Sequence, residues 1–143
     1  MRMTPTAKRR HERRDRRYPM PQLLLIRHGE TALNAARIVQ PADTPLSPRG
    51  QAQARALAAR LVQTPLAGIL SSDLPRARQT ADAIAATRDA AITTSALLHE
   101  RNFGDLRGQP YDSLGFDPQD WTGKPPNGES QAEFEIRAQA AWR

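Results

Sequence analysis

The run Arg27-His28-Gly29-Glu30-Thr31 sets a guanidinium beside an imidazole, with a glycine next to them that lets the backbone approach a ligand closely. An imidazole next to a fixed cation can do catalytic work on an anionic substrate. The same pair is also what an ordinary surface loop presents, and taken alone it leaves both readings open. Three later segments also gather polar and charged residues: Asp43-Thr44-Pro45-Leu46 with Gly50, Gln53 and Ala54 after it; Ser72-Asp73-Leu74-Pro75-Arg76-Ala77-Arg78-Gln79-Thr80-Ala81; and His99-Glu100-Arg101-Asn102-Phe103-Gly104 with Gly108.

The elements that must hold these segments alternate between strand and helix. Gln22–Ile26 is a short continuous apolar run, which predicts a strand buried on both faces that opens into the Arg27–Thr31 loop. That loop then falls at the edge where open α/β sheets bind ligands. Ser47-Pro48 reads as an N-cap with proline in the first turn, and Ala54, Leu57, Ala58 and Leu61 recur at helical spacing. After Pro65, Ala67–Leu70 predicts a second strand, and Ser71 to Pro75 turns into a helix with Ala77, Thr80, Ala81 and Ile84 on one face. Ala91–Thr94 predicts a short third strand. From Leu97 to Gly128 glycines and prolines break any period, so a long irregular loop is expected. Ser130 and Glu133 then form a capping box for a last helix whose apolar face is Phe134, Ala138, Ala141 and Trp142. Strands alternating with helices predict an α/β fold with a mostly parallel sheet.

Composition narrows the function classes. The 143 residues fit one small domain and carry a net charge of +6. Eight of the 21 Lys/Arg and only Glu12 and Asp15 of the acids lie in residues 1–20, so the rest of the chain is formally neutral. Residues 1–19 have almost no apolar content and repeated like charges, which predicts a disordered basic extension before a domain over 20–143. Met20, directly before the first apolar run, is an alternative translation start. An arm that binds nucleic acid is the competing reading, and a basic run alone is weak support for it. With no cysteine there is neither a disulfide framework nor a thiolate metal site, and the cytoplasm is the expected compartment. Leu23-Leu24-Leu25-Ile26 is too short for a signal-peptide core, and no membrane span is expected.

The four segments, in this order from Arg27–Asn34 to His99–Gly108 and followed by Pro126-Asn127-Gly128-Glu129-Ser130, closely resemble the histidine phosphatase superfamily on its phosphoglycerate-mutase-like branch. The resemblance runs from Gln22 to Arg143. It implies a three-layer α/β/α fold and phosphoryl transfer from a small phosphate monoester. His28 matches the nucleophile, whose neutral ring nitrogen attacks phosphorus to give a phosphohistidine. Arg27 and Arg76 match the phosphate clamp, Asn34 a further phosphate donor, and Glu100 the proton donor to the leaving group. That last role requires a carboxyl raised in pKa by a partly desolvated pocket. The plain alternative for Glu100 is an exposed acid paired with Arg101. Arg78 is left as a solvated helix residue, and no role maps to His99. No metal or cofactor is implied, because the arginines supply the charge that Mg²⁺ supplies in kinases.

The departures are as specific as the matches. The family carries a second histidine in a late element, and this chain has none after His99; Pro41 stands near where many relatives have glycine. The resemblance therefore implies a domain lacking its C-terminal third, including a strand from the middle of its sheet. Such a chain is expected to be unstable, aggregation-prone and nearly inactive. Three readings remain in play: a phosphatase impaired in this way, phosphoglycerate mutase-type phosphotransfer, and an inactive phosphate-binding fragment. The sequence carries no signal of oligomeric state.

Overall fold

In the computed structural model, which describes residues 22–143, the chain makes its first regular turn directly after the Arg27–Glu30 loop. Thr31 caps a one-turn helix α1 (Ala32–Ala35): its hydroxyl accepts from the Asn34 N–H at 3.0 Å, and the Asn34 side-chain oxygen accepts from the Thr31 N–H at 2.6 Å. This is a capping box with asparagine where Glu or Gln is usual. The basic segment 1–19, for which the sequence predicts disorder, lies outside the described residues.

Helix α2 (Pro48–Leu61) starts where the sequence places it, with the Ser47 hydroxyl accepting from the Gly50 N–H at 3.0 Å and Pro48 in the first turn. Ala54 and Ala58 are buried and Leu57 and Leu61 half-buried. Small side chains on that face let α2 pack against α3 (Pro75–Ala85). The inward positions of α3 are Arg76, Thr80, Ala81 and Ile84. The expected face is corrected at one residue: Ala77 is half-buried and Arg76 turns inward, where its guanidinium meets two backbone carbonyls and a carboxylate.

Strands β1 (Ile69–Ser71) and β2 (Ile92–Thr94) pair in parallel, Ile69 opposite Ile92 and Ser71 opposite Thr94, with α3 as the crossover. The ladder begins where the Ile69 N–H reaches Ala91 O at 3.0 Å and closes where the Ser95 N–H reaches Ser71 O at 2.9 Å, so β1 falls slightly later than Ala67–Leu70. The fold is α/β with a parallel sheet, which among the described residues has these two strands.

The irregular stretch holds short 3₁₀ turns at Ala96–Leu98, Gly104–Leu106 and Tyr111–Ser113. It is laced to the segment after α1, where the Val39 N–H donates to Gln109 O at 3.0 Å, the Gly108 N–H to Val39 O at 2.7 Å, and the Tyr111 N–H to Arg37 O at 2.8 Å. Gly104 sits at φ +51°, and a Cβ there would stand 2.0 Å from Pro126 O, so both its own backbone and its neighbour demand glycine. Helix α4 (Gln131–Ala140) opens with the expected box: the Ser130 hydroxyl accepts from the Glu133 N–H at 3.2 Å, and the Glu133 carboxylate accepts from the Ser130 N–H at 2.8 Å. With Lys124 also bonded to it, the Glu133 carboxyl is pushed down to about 2. The apolar face of α4 is only half covered, Trp142 being 61% exposed.

The largest correction concerns Gln22–Ile26. This run forms no ladder among the described residues, and Leu23 and Leu25 are 70% and 84% exposed rather than buried on both faces. An open cavity of about 750 Å³ lies between it and β1, with Leu70, Ile84, Phe134 and Trp142 also on its wall. Sheet neighbours stand about 4.8 Å apart, and among the described residues no such pairing joins this run to β1. The apolar residues have the capacity for burial without a hydrogen-bonding neighbour to realise it.

Candidate active site

His28 is half-buried at the end of that unpaired run. Its Nδ1 donates to Gly29 O at 2.7 Å, so the neutral ring carries its lone pair on Nε2. Burial pushes the imidazole pKa below 6.5; the Gly29 carbonyl opposes this, and the Arg76 charge reinforces it. The ring therefore favours its neutral, nucleophilic form.

The loop carrying His28 is fixed from two sides. The Gly29 N–H donates to the Thr80 hydroxyl at 3.1 Å, and that hydroxyl donates to Arg76 O at 2.9 Å. On the other side Glu30 O accepts from the Ser47 N–H at 2.8 Å, and the Ser47 hydroxyl donates to the Glu30 carboxylate at 2.9 Å. The start of α2 can come this close because residue 50 has no side chain: a Cβ at Gly50 would stand 1.9 Å from Glu30 O.

Arg76, in the first turn of α3, is 2% exposed. Its Nη1 donates to Pro41 O at 3.4 Å and Ala42 O at 3.3 Å, and its Nη2 donates to Glu100 at 2.8 Å. The proline that departs from the family pattern thus supplies one of the carbonyls that seat this guanidinium. The desolvated pocket expected for Glu100 is not found, since its side chain is 47% exposed and paired to Arg76, which lines the same cavity. The alternative pairing with Arg101 is not found either, because Arg101 points away.

Arg27, His28, Arg76 and Glu100 all line the cavity. Arg27 is exposed, and its charge acts on His28. Asn34 is half-buried on α1, with its amide oxygen committed to Thr31. Among the described residues it makes no hydrogen bond to the other four, so the structure brings four of the five candidates together and leaves Asn34 to cap a helix.

Several residues that sequence reasoning passed over organise the segments around the cavity. Arg101 is 6% exposed and reaches the carbonyls of Trp121, Gly123 and Glu129, with its guanidinium 5.1 Å from the Phe103 ring centre. Burial pushes its pKa down. His99 bonds Asp73, and this contact lowers the Asp73 pKa. Glu129 and Arg137 form a two-toothed ion pair, with Nε and Nη2 each 2.8 Å from a carboxylate oxygen. Glu129 belongs to the Pro126–Ser130 element, which was the one available signal; nothing in the periodicity singles out Arg101 or Arg137. Among the described residues no three His, Asp or Glu gather closely enough to hold a metal ion, and no helix is long and apolar enough to cross a membrane.

The family model described as histidine phosphatase superfamily (branch 1) matches residues 23–143. A probable phosphoglycerate mutase GpmB from Yersinia enterocolitica is 38% identical over 132 residues, covering 85% of this chain and 61% of that protein; its Escherichia coli K12 counterpart matches to the same extent. The chain therefore spans about three-fifths of the length of these relatives. Among solved structures, a mycobacterial glucosyl-3-phosphoglycerate phosphatase is 30% identical with a TM-score of 0.70, over 80% of this chain and 58% of that one. A phosphoglycerate mutase from Thermus thermophilus is 35% identical with a TM-score of 0.68, over 81% of this chain and 67% of that one.

Proposed function

This chain belongs to the histidine phosphatase superfamily, and from that premise we propose that it transfers the phosphoryl group of a small phosphate monoester through a phosphohistidine at His28, with water as the final acceptor. The observation that carries this reading is the His28 ring, held by Gly29 O as the tautomer with a free Nε2 and kept neutral by burial beside the Arg76 guanidinium.

In the first step the Nε2 lone pair attacks phosphorus and the bond to the ester oxygen breaks, with Glu100 delivering a proton to that oxygen. In the second, water attacks the phosphohistidine, Glu100 takes the water proton, and phosphate leaves with the ring restored. Arg76 and Arg27 neutralise the equatorial oxygens. The Arg76–Glu100 pair gives this sequence its order: the monoanionic ester competes for Nη2 and displaces the carboxylate, which takes up the proton of the ester's phosphate and passes it to the leaving oxygen. Asn34 stands outside the cavity lining with its oxygen held by Thr31, which leaves only its amide nitrogen to reach a phosphate.

Water is the acceptor in this reading, and Glu100 is 47% exposed where it lines the cavity; mutase-type transfer to a second acceptor shares every step up to the phosphohistidine and is the alternative. The phosphatase and mutase relatives share the phosphoryl chemistry, and the cysteine-free chain suits the reducing cytoplasm. The test is rapid acid quenching during turnover of 4-nitrophenyl phosphate. An acid-labile phosphate should appear on His28 and vanish in His28→Ala; full activity in that variant would remove the mechanism.

A further inference from the structure

We propose that the Glu129–Arg137 pair is a positioning device that fixes Glu100 at the distance its proton transfer needs; the inference rests on the phosphatase reading above. Arg137 Nη1 donates to Leu97 O and His99 O, each at 3.0 Å, and Nη2 donates to Glu100 O at 3.4 Å. Glu129 holds the other flank: its Oε2 accepts from the Asn102 N–H at 3.0 Å, and its own N–H donates to Asn102 O at 2.8 Å.

The backbone on both sides of Glu100 is therefore tied to one ion pair. The pair is largely covered, with Arg137 and Glu129 side chains 23% and 15% exposed. Arg137 comes from α4 and Glu129 from the turn before it, so the helix, through two side chains, sets where the loop carrying Glu100 stands. Neither side chain lines the cavity, so neither touches substrate. The two charges raise the Arg137 pKa and lower that of Glu129 through their mutual hydrogen bonds, which keeps both ionised over the working range.

A misplaced proton donor costs most where the leaving group most needs its proton. General acid catalysis is worth roughly 10²–10⁴, and a shift of about 1 Å can remove about 10² of it. The test compares 4-nitrophenyl phosphate, a good leaving group, with an alkyl phosphate in the parent, Arg137→Met and Arg137→Lys, alongside hydrogen exchange of the Asn102 amide in these and in Glu129→Ala. In Arg137→Met, kcat on the alkyl phosphate should fall about tenfold further than on the aryl ester with KM little changed, and lysine should recover much of the loss. Asn102 exchange should quicken in both Arg137→Met and Glu129→Ala. Equal losses on the two esters, or unchanged exchange, overturn the positioning role, as does loss of a cooperative melt in every variant. If the parent turns over neither ester, the phosphatase reading fails, and the exchange measurement alone decides whether the pair holds the loop.

Discussion

The two sides of His28 are built differently. Downstream, Thr31, Val39, Leu46, Ala54, Ala58 and Ala81 are all at or below 5% exposure, and the buried Arg76 has a partner on both terminal nitrogens. Upstream, Leu23 and Leu25 face solvent. Both sides carry apolar residues. What separates them is whether the backbone found partners, since an apolar segment is buried only where its N–H and C=O groups are also satisfied. Glu100, Arg76 and the loop after His28 are anchored to the packed side, whereas the chain enters His28 from the open one.

The largest effect expected from this contrast is at Arg76. Arg76→Met removes the proposed phosphate clamp and strips Pro41 O and Ala42 O of their donor, so kcat/KM should fall by ~10²–10³. Steady-state kinetics on an aryl phosphate checks this; a change within a few-fold would mean the buried guanidinium serves only the fold. Next in size, Leu46→Ala should cost about 2–5 kcal/mol by urea unfolding, because Leu46 is 5% exposed on the packed side.

The acid limb of the activity profile sharpens the boundary between the two sides. The folded imidazole titrates below 6.5, so its lone pair is available above that pKa and is lost to protonation as pH falls through it. The logarithm of kcat/KM should be level at neutral pH and drop on the acid side at a pH below 6.5. Arg76→Met should move that limb upward, since one of the influences holding the pKa down is gone; an unmoved limb would detach Arg76 from His28 electrostatically. Smallest of all, Leu25→Lys on the open side should change stability by less than about 0.5 kcal/mol while reducing aggregation. A loss above about 1 kcal/mol would show that the upstream run is packed in solution and would erase the contrast.

Local rules were legible and long-range ones were not. Ser47-Pro48 and Ser130 with Glu133 announced α2 and α4, because caps act within one turn. The one-turn α1 escaped because its box uses Asn34, a residue ordinarily read as a loop former. His28, Arg76 and Glu100 were found through an ordered set of motifs, and four of the five candidates do share one cavity. Their environments could not be read in the same way. The exposure of Glu100, the inward turn of Arg76, and the carbonyl partners of Arg101 and Arg137 depend on chain segments 20 to 40 residues away. No period encodes such distances. The apolar run Leu23–Ile26 failed for a related reason, as hydropathy reports what could be buried and says nothing about a neighbour.

The Thr80 hydroxyl has a consequence for tolerance to motion. One oxygen accepts from the loop that carries His28, at Gly29, and donates to the carbonyl of Arg76. Imidazole and guanidinium are thus gauged against a common mark rather than against separate parts of the scaffold. A shift of α3 would carry the His28 loop and Arg76 with it, leaving between them only the slack of two hydrogen bonds. A displacement of the upstream run would then tilt the site as a unit and leave unchanged the separation on which the proposed phosphoryl transfer depends.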